Sequence, residues 1–258
     1  MMLQTETIKR YQSRMACKVV VCDVVDVKSI RYAVGVDVAY KGDMAFAAAV
    51  MVDRLDGKIV YESNSISRVY IPYIPGLLFL REGAPMLSAL RSLIEHVYGR
   101  SCTGCRDECI VIVDGNGMLH PRLFGLACYI GILIDIPTVG VSKSLLCGTI
   151  ISKSSDGSVI LNGREVARVV EYNGKRIYVS IGHKISLDSA ESIVRSLISY
   201  GEEVGAGVSA RARARKSKPI SSSSSSSSPS SSPSIPLPEP LRLAHNAANA
   251  LRRSQALH

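Results

Sequence analysis

Residues 108–146 read ECIVIVDGNGMLHPRLFGLACYIGILIDIPTVGVSKSLL. A run of four β-branched residues, Ile110 to Val113, ends in Asp114. The glycine-rich turn Gly115-Asn116-Gly117 follows, and His120-Pro121-Arg122 opens an amphipathic segment. A second apolar run, Pro137 to Val141, closes on Ser142-Lys143. Acid, imidazole and amine each stand at the end of a strand-like run or the start of a helix-like one. In open α/β sheets that is where sites are built.

Working outward, Ala33 to Tyr40 alternates Val34, Val36 and Val38 on one side, with Asp37 facing the other way. Residues 44–52 and 58–62 read as two further strands. The turns Lys41-Gly42-Asp43 and Asp56-Gly57-Lys58 make the three a meander. Two prolines and a glycine exclude regular structure from Tyr70 to Gly76. Leu87, Leu90, Leu93, Ile94 and Val97 predict a helix over about 84–98. Residues 3–16 read as helical, and 18–27 carry only a weak strand-like pattern. After strand 110–113 come a helix over 121–133, a strand over 137–141 and a short helix after Lys143. Two or three strands over about 158–181 turn at Asn173-Gly174, and a last helix covers about 186–200.

The order βββαβαβ predicts an α/β fold, an RNase H-like mixed sheet flanked by helices. Residues 1–200 read as one nuclease-sized domain. From 201 the composition changes to ARARARKSKP, eight consecutive serines (Ser221–Ser228) and Ser/Pro repeats. Such a segment buries too little apolar surface to offset its ordering entropy. The expectation for 201–258 is therefore a disordered basic tail, with a short basic helix as an option over 241–256.

The chain has 258 residues, 47% hydrophobic and 21% charged, with a formal net charge of +9. Much of that charge lies in the tail, so a polyanionic partner is compatible with it but not established by it. No apolar run approaches the ~18–20 residues of a membrane span. The first residues lack the apolar core of a signal peptide, so the expected compartment is the cytoplasm. The expected state is a monomer. Seven cysteines give no regular framework. Cys17, Cys22, Cys128 and Cys147 sit among apolar residues and are expected as buried thiols. Cys102, Cys105 and Cys109 lack a well-spaced fourth ligand, which favours a surface loop over zinc.

A carboxylate within or at the end of an apolar strand is costly to bury unless paired or bound to a metal. Asp37 and Asp114 both meet that description. Taken alone, each is most simply a turn cap or a partner of a lysine. Together, two hard oxygen ligands at one sheet suit Mg²⁺ or Mn²⁺ rather than zinc. Glu82 would complete a three-acid site, against the plainer reading of a helix-entry acid. His120 and His183 could serve the site or simply make structural hydrogen bonds. Lys143 could meet a phosphate or stand exposed at a helix start. Tyr73, between prolines, could stack on or wedge between bases, or cover the sheet edge.

Five segments together resemble the endonuclease V family: Gly35-Val-Asp37-Val-Ala-Tyr40; Pro72-Tyr73-Ile74-Pro75-Gly76 with Arg81-Glu82; Val113-Asp114 through His120-Pro121-Arg122; Gly140-Val-Ser-Lys143 with Leu146-Cys-Gly148; and Gly182-His183-Lys184 with Asp188. They run in the family's order from about residue 30 to 200. The resemblance implies Mg²⁺-dependent cleavage, with Mn²⁺ as a substitute, of DNA containing deoxyinosine. The cut falls at the second phosphodiester 3′ to the lesion and leaves 3′-hydroxyl and 5′-phosphate ends. It implies Asp37 and Asp114 as metal ligands and Glu82 as the third acid. His120, Lys143 and His183 are implied as further catalytic residues, with Asp188 a weaker fourth acid. Tyr73 is implied as the wedge, flanked by Pro72 and Ile74, and Gly115 and Leu119 as readers of the base. An inosine-specific ribonuclease of the same fold and a non-catalytic nucleic-acid-binding module are the alternatives. The cysteine loop and the Ser-rich tail depart from the family pattern without touching these motifs.

Overall fold

The structure is a computed structural model that describes residues 2–99, 105–152, 157–199 and 237–255. The elements are α1 (Met2–Ala16), β1 (Tyr32–Lys41), β2 (Met44–Asp53), β3 (Ile59–Arg68), α2 (Leu78–Tyr98), the single turn α3 (Cys105–Glu108) and β4 (Cys109–Asp114). There follow α4 (Leu126–Ile134), β5 (Thr138–Ser142), β6 (Thr149–Ser152), β7 (Gly157–Leu161), β8 (Arg164–Tyr172) and β9 (Lys175–His183). Helix α5 covers 187–199 and α6 is Glu239–Ser254.

Nine strands form one mixed sheet in the order β3-β2-β1-β4-β5-β9-β8-β7-β6. The meander β1–β3 is antiparallel, and β1, β4 and β5 run parallel. β9 returns antiparallel to β5 and leads into the second meander. This is the expected RNase H-like mixed sheet. The central strands are buried on both faces, which is why β4 reads as a continuous apolar run rather than an alternation. One face packs Val34, Val36, Val111 and Val113 against Leu87 and Leu90 of α2 and Ile130 of α4. The other packs Ile110, Ile112, Val139 and Val179 against Ile193 and Leu197 of α5 and Leu241 and Ala244 of α6.

Several elements differ from expectation, each for a local reason. α2 begins at Leu78 and contains Pro85. A proline inside a helix leaves the carbonyl four residues earlier without its donor. That carbonyl belongs to Arg81, and the Tyr40 hydroxyl donates to it at 3.4 Å. Residues 121–125 are not helical: Met118 N–H bonds Ile181 O across to β9, and Leu123 has φ 54°. The helix expected after Lys143 is a bend that leads into the unanticipated strand β6. β3 runs six residues beyond its expected end at Glu62, pairing with β2 from Met44 to Val52. Cys17 and Cys22 are exposed rather than buried, because the segment after α1 lies on the surface. The cysteine loop lies largely outside the described residues, although Cys109 is buried at the start of β4.

The main correction concerns the tail. Residues 201–236 lie outside the described residues, but α6 is a helix of the folded core. Leu241, Ala244 and Ala248 are fully buried on it. Their spacing is that of one helical face. The expectation of disorder from residue 201 onward does not hold for this helix. It lies so close to β1 that a Cβ on Gly35 would stand 2.1 Å from Pro240 O. No helix among the described residues is long and apolar enough to cross a membrane.

Candidate active site

The parallel register of β1 and β4 pairs Val36 with Val113. One residue further, Asp37 comes level with Asp114. By the two-residue period of a strand, both acids lie on the face that carries Ile110, Ile112 and α6. Asp37 is buried. Burial and the neighbouring Asp114 carboxylate push its pKa up, while bonds from His245 and the Val38 N–H oppose that rise. Two carboxylates so close are the arrangement a divalent cation relieves.

His245 of α6 stands 2.6 Å from Asp37 Oδ2 through Nδ1. Asn249, one turn on, places its amide nitrogen 3.2 Å from His245 Nε2. An amide donating to Nε2 leaves the proton on Nδ1, which then donates to Asp37. Asp37, Asp114 and His245 each offer a ligand atom within 4.8 Å of the others. With both ring nitrogens of His245 engaged, the free donors are the carboxylate oxygens, and hard oxygen ligands suit Mg²⁺ or Mn²⁺.

Glu82 and Tyr40 line the same open cleft, whose volume is about 660 Å³. Burial, Asp37 and Asp114, in that order, push the Glu82 carboxyl up to about 8, against the opposing pull of Arg81. Tyr40 is also pushed upward, mainly by burial. The Arg81 guanidinium lies 4.2 Å over the Tyr40 ring, and its Nη1 donates to Ile71 O at 2.6 Å. On the far wall, Lys143 Nζ donates to Asp114 Oδ2 at 2.9 Å. Ser142 Oγ donates to Asn116 Oδ1 at 2.8 Å.

A narrow pocket of about 50 Å³ opens beside the cleft, lined by Gln12, Tyr73, Gly76, Phe79, Asn116 and His120 among others. Tyr73 is 62% exposed at its mouth. It borders both spaces, as do Asn116 and Leu146. Pro72 is exposed beside it, whereas Ile74 packs on the core.

The structure brings Asp37, Glu82, Asp114, Lys143, Tyr73 and Gly115 to the cleft. Other expected site residues stand elsewhere. His120 is buried, with Nδ1 accepting the Arg122 N–H at 3.2 Å and Nε2 donating to Gly76 O at 3.0 Å. Both nitrogens are used, and burial lowers its pKa to about 4, so it is a neutral wall of the narrow pocket and does not line the acidic cleft. His183 pairs with Thr138 at the start of β5, the opposite end of that strand from Ser142. Its Nδ1 accepts the Val20 N–H, and burial lowers its pKa. The antiparallel direction of β9 is what carries it away from the cleft. Asp188 is bound to Arg168 at 2.7 Å. The Leu119 side chain packs in a satellite core with Val159 and Val166.

His245 was missed by the reading of the sequence. Its signal is short: Glu239-Pro240 as a helix start, then Leu241, Ala244 and Ala248 on one face. The face is periodic enough to read as a helix, but nothing in it says which strand the helix packs on.

Residues 13–203 match the Endonuclease V family model. The chain is 42% identical over 177 residues to Endonuclease V of Thermofilum pendens, covering 67% of this chain and 72% of that one. It is 37% identical over 172 residues to Endonuclease V of Sulfolobus acidocaldarius, covering 66% and 76%. The crystal structure of Endonuclease V from Streptomyces avermitilis superposes with a TM-score of 0.71 at 26% identity, over 97% of this chain and 94% of that one. Ciona intestinalis Endonuclease V, solved with a 24mer DNA containing an inosine followed by a ribo-adenosine, shares the fold with a TM-score of 0.72 at 21% identity, over 97% and 98%. With its acids aligned at the ends of β1 and β4, this chain belongs to the endonuclease V family.

Proposed function

We propose that the chain is a metal-dependent endonuclease that recognises deoxyinosine in DNA. It hydrolyses the second phosphodiester on the 3′ side, leaving 3′-hydroxyl and 5′-phosphate ends. The observation that carries this reading is the convergence of Asp37, Asp114, Glu82 and His245 on one cleft, with a narrow pocket bordered by Tyr73 beside it. The DNA-bound Ciona relative supports the substrate class.

In this reading Asp37 and Asp114 hold Mg²⁺ or Mn²⁺, with Glu82 as the third acid, acting directly or through water. A bound divalent ion neutralises the phosphate and lowers the pKa of water. His245 orients Asp37, and Lys143 would meet the scissile phosphate were Asp114 to hold a cation. Tyr73 fills the gap left by the extruded base. Extrusion costs a few kcal/mol, less for a weakly paired inosine, which itself favours the lesion. A ribonucleotide 3′ to the inosine in the Ciona complex keeps inosine in RNA as a second substrate reading.

Matched inosine-containing DNA and RNA oligonucleotides, each assayed with Mg²⁺ and with EDTA, test this. Mg²⁺-dependent cutting of the DNA one bond beyond the nearest 3′ phosphodiester is the expected result. Cutting confined to RNA would move the function to the ribonuclease reading. Binding without cutting of either would mark a non-catalytic module.

A further inference from the structure

Helix α1 lies on the surface, and among its described side chains Gln12 alone is fully buried. A buried amide is unfavourable unless both its ends are bonded, and an apolar side chain would fill the position without that demand. Both ends are bonded here. Oε1 accepts from Arg122 Nε at 2.7 Å, and Nε2 donates to Phe124 O at 3.0 Å.

Arg122 in turn donates through Nη2 to Gly76 O at 2.7 Å, and His120 donates to the same oxygen. Gly76 has φ +76°, and a Cβ there would lie 2.9 Å from Arg122 Nη2. The approach therefore requires glycine. Gly76 closes the segment that carries Tyr73, and Arg81 holds the other foot of that segment at Ile71 O. The wedge residue thus stands on a loop clamped at both feet.

The pocket behind it, at about 50 Å³, has room for one or two waters. A purine enters only if a wall moves. Gln12, His120 and Gly76 are tied together, while Tyr73 and Leu146 are exposed at the rim. We infer that Gln12 is a positioning residue for recognition of the deaminated base: through Arg122 it fixes the Gly76 carbonyl, the immobile wall against which an extruded base is seated. This rests on the deoxyinosine reading above.

The test uses the full chain and its Gln12→Met and Gln12→Glu variants. Affinities for an inosine duplex and a matched undamaged duplex are measured in EDTA, and single-turnover cleavage is measured at saturating enzyme with Mg²⁺. Gln12→Met should weaken inosine binding about ten-fold, with the undamaged duplex and the saturated rate changed less than about two-fold. Gln12→Glu keeps the acceptor for Arg122 but loses the donor to Phe124 O, and should recover part of the loss. Equal weakening on both duplexes, no weakening, or no recovery by Gln12→Glu would each overturn the inference. If Gln12→Met does not fold, Arg122→Lys, which keeps Gln12 buried but loses the forked contact, is read by the same criteria. A parent chain with no preference for the inosine duplex would overturn the functional reading and this inference with it. A preference that Gln12→Met leaves intact would overturn this inference alone.

Discussion

His245 Nδ1 lies 2.6 Å from Asp37 Oδ2, although 208 residues separate them in the chain. A helix beyond the Ser-rich segment therefore completes the cleft built by β1 and β4. Truncation after Tyr200 should remove both a core helix and a site residue, and lower single-turnover cleavage at least about 100-fold. His245→Ala should lower it about 10-fold or more with little change in denaturation midpoint, since the imidazole is partly exposed. Full activity in the truncated chain would show that α6 is dispensable.

Gly35→Ala tests the seat of that helix. The added Cβ would lie 2.1 Å from Pro240 O and 2.4 Å from Leu241 N, both backbone atoms. α6 must lift, at about 1–3 kcal/mol of overpacking. Urea denaturation should show that loss, and cleavage should fall with it as His245 leaves Asp37.

Lys143 occupies Asp114 where a cation would sit. Lys143→Met should tighten divalent-ion binding several-fold in calorimetric titration, because a competing charge is gone. Cleavage should nevertheless drop, since the phosphate loses its partner. Weaker metal binding in this variant would reverse the assignment.

Burial keeps His120 neutral down to about 4, against 6.5 for an ordinary imidazole. Between those values the unfolded chain takes up a proton that the folded one refuses. The resulting stability is complete above about pH 6.5 and is lost as pH falls to about 4, roughly 3 kcal/mol in all. His120→Gln keeps a donor for Gly76 O and should flatten the acid limb of a plot of midpoint against pH. An unchanged limb would mean another group titrates there.

Tyr73 is 62% exposed, so Tyr73→Ala should alter stability by less than about 0.5 kcal/mol. Affinity for an inosine duplex should fall while metal binding is retained. A loss of both would tie the residue to the metal cleft instead of the lesion.

Much of this site was legible because its signals are local. Alternation along β1 placed Asp37 opposite Val36 and Val38, and a β-branched run ending in Asp114 marked the end of β4. The turns at Gly42 and Gly57 announced the meander, and the motif order carried the family. Pro85 misled the start of α2, since the Tyr40 hydroxyl across the cleft, a distant partner, donates to the freed Arg81 carbonyl.

The sequence by itself determined β1, β2, β4 and β5, their acids and the family, because period, turn chemistry and motif spacing lie within short windows. Only the tertiary structure decided which histidine serves the acids. His183 was excluded by the antiparallel direction of β9, and His120 by hydrogen bonds that use both its nitrogens. His245 was admitted because Gly35 lets α6 approach β1 closely. Strand direction and helix docking are relations between distant segments, and no local window of the chain encodes them.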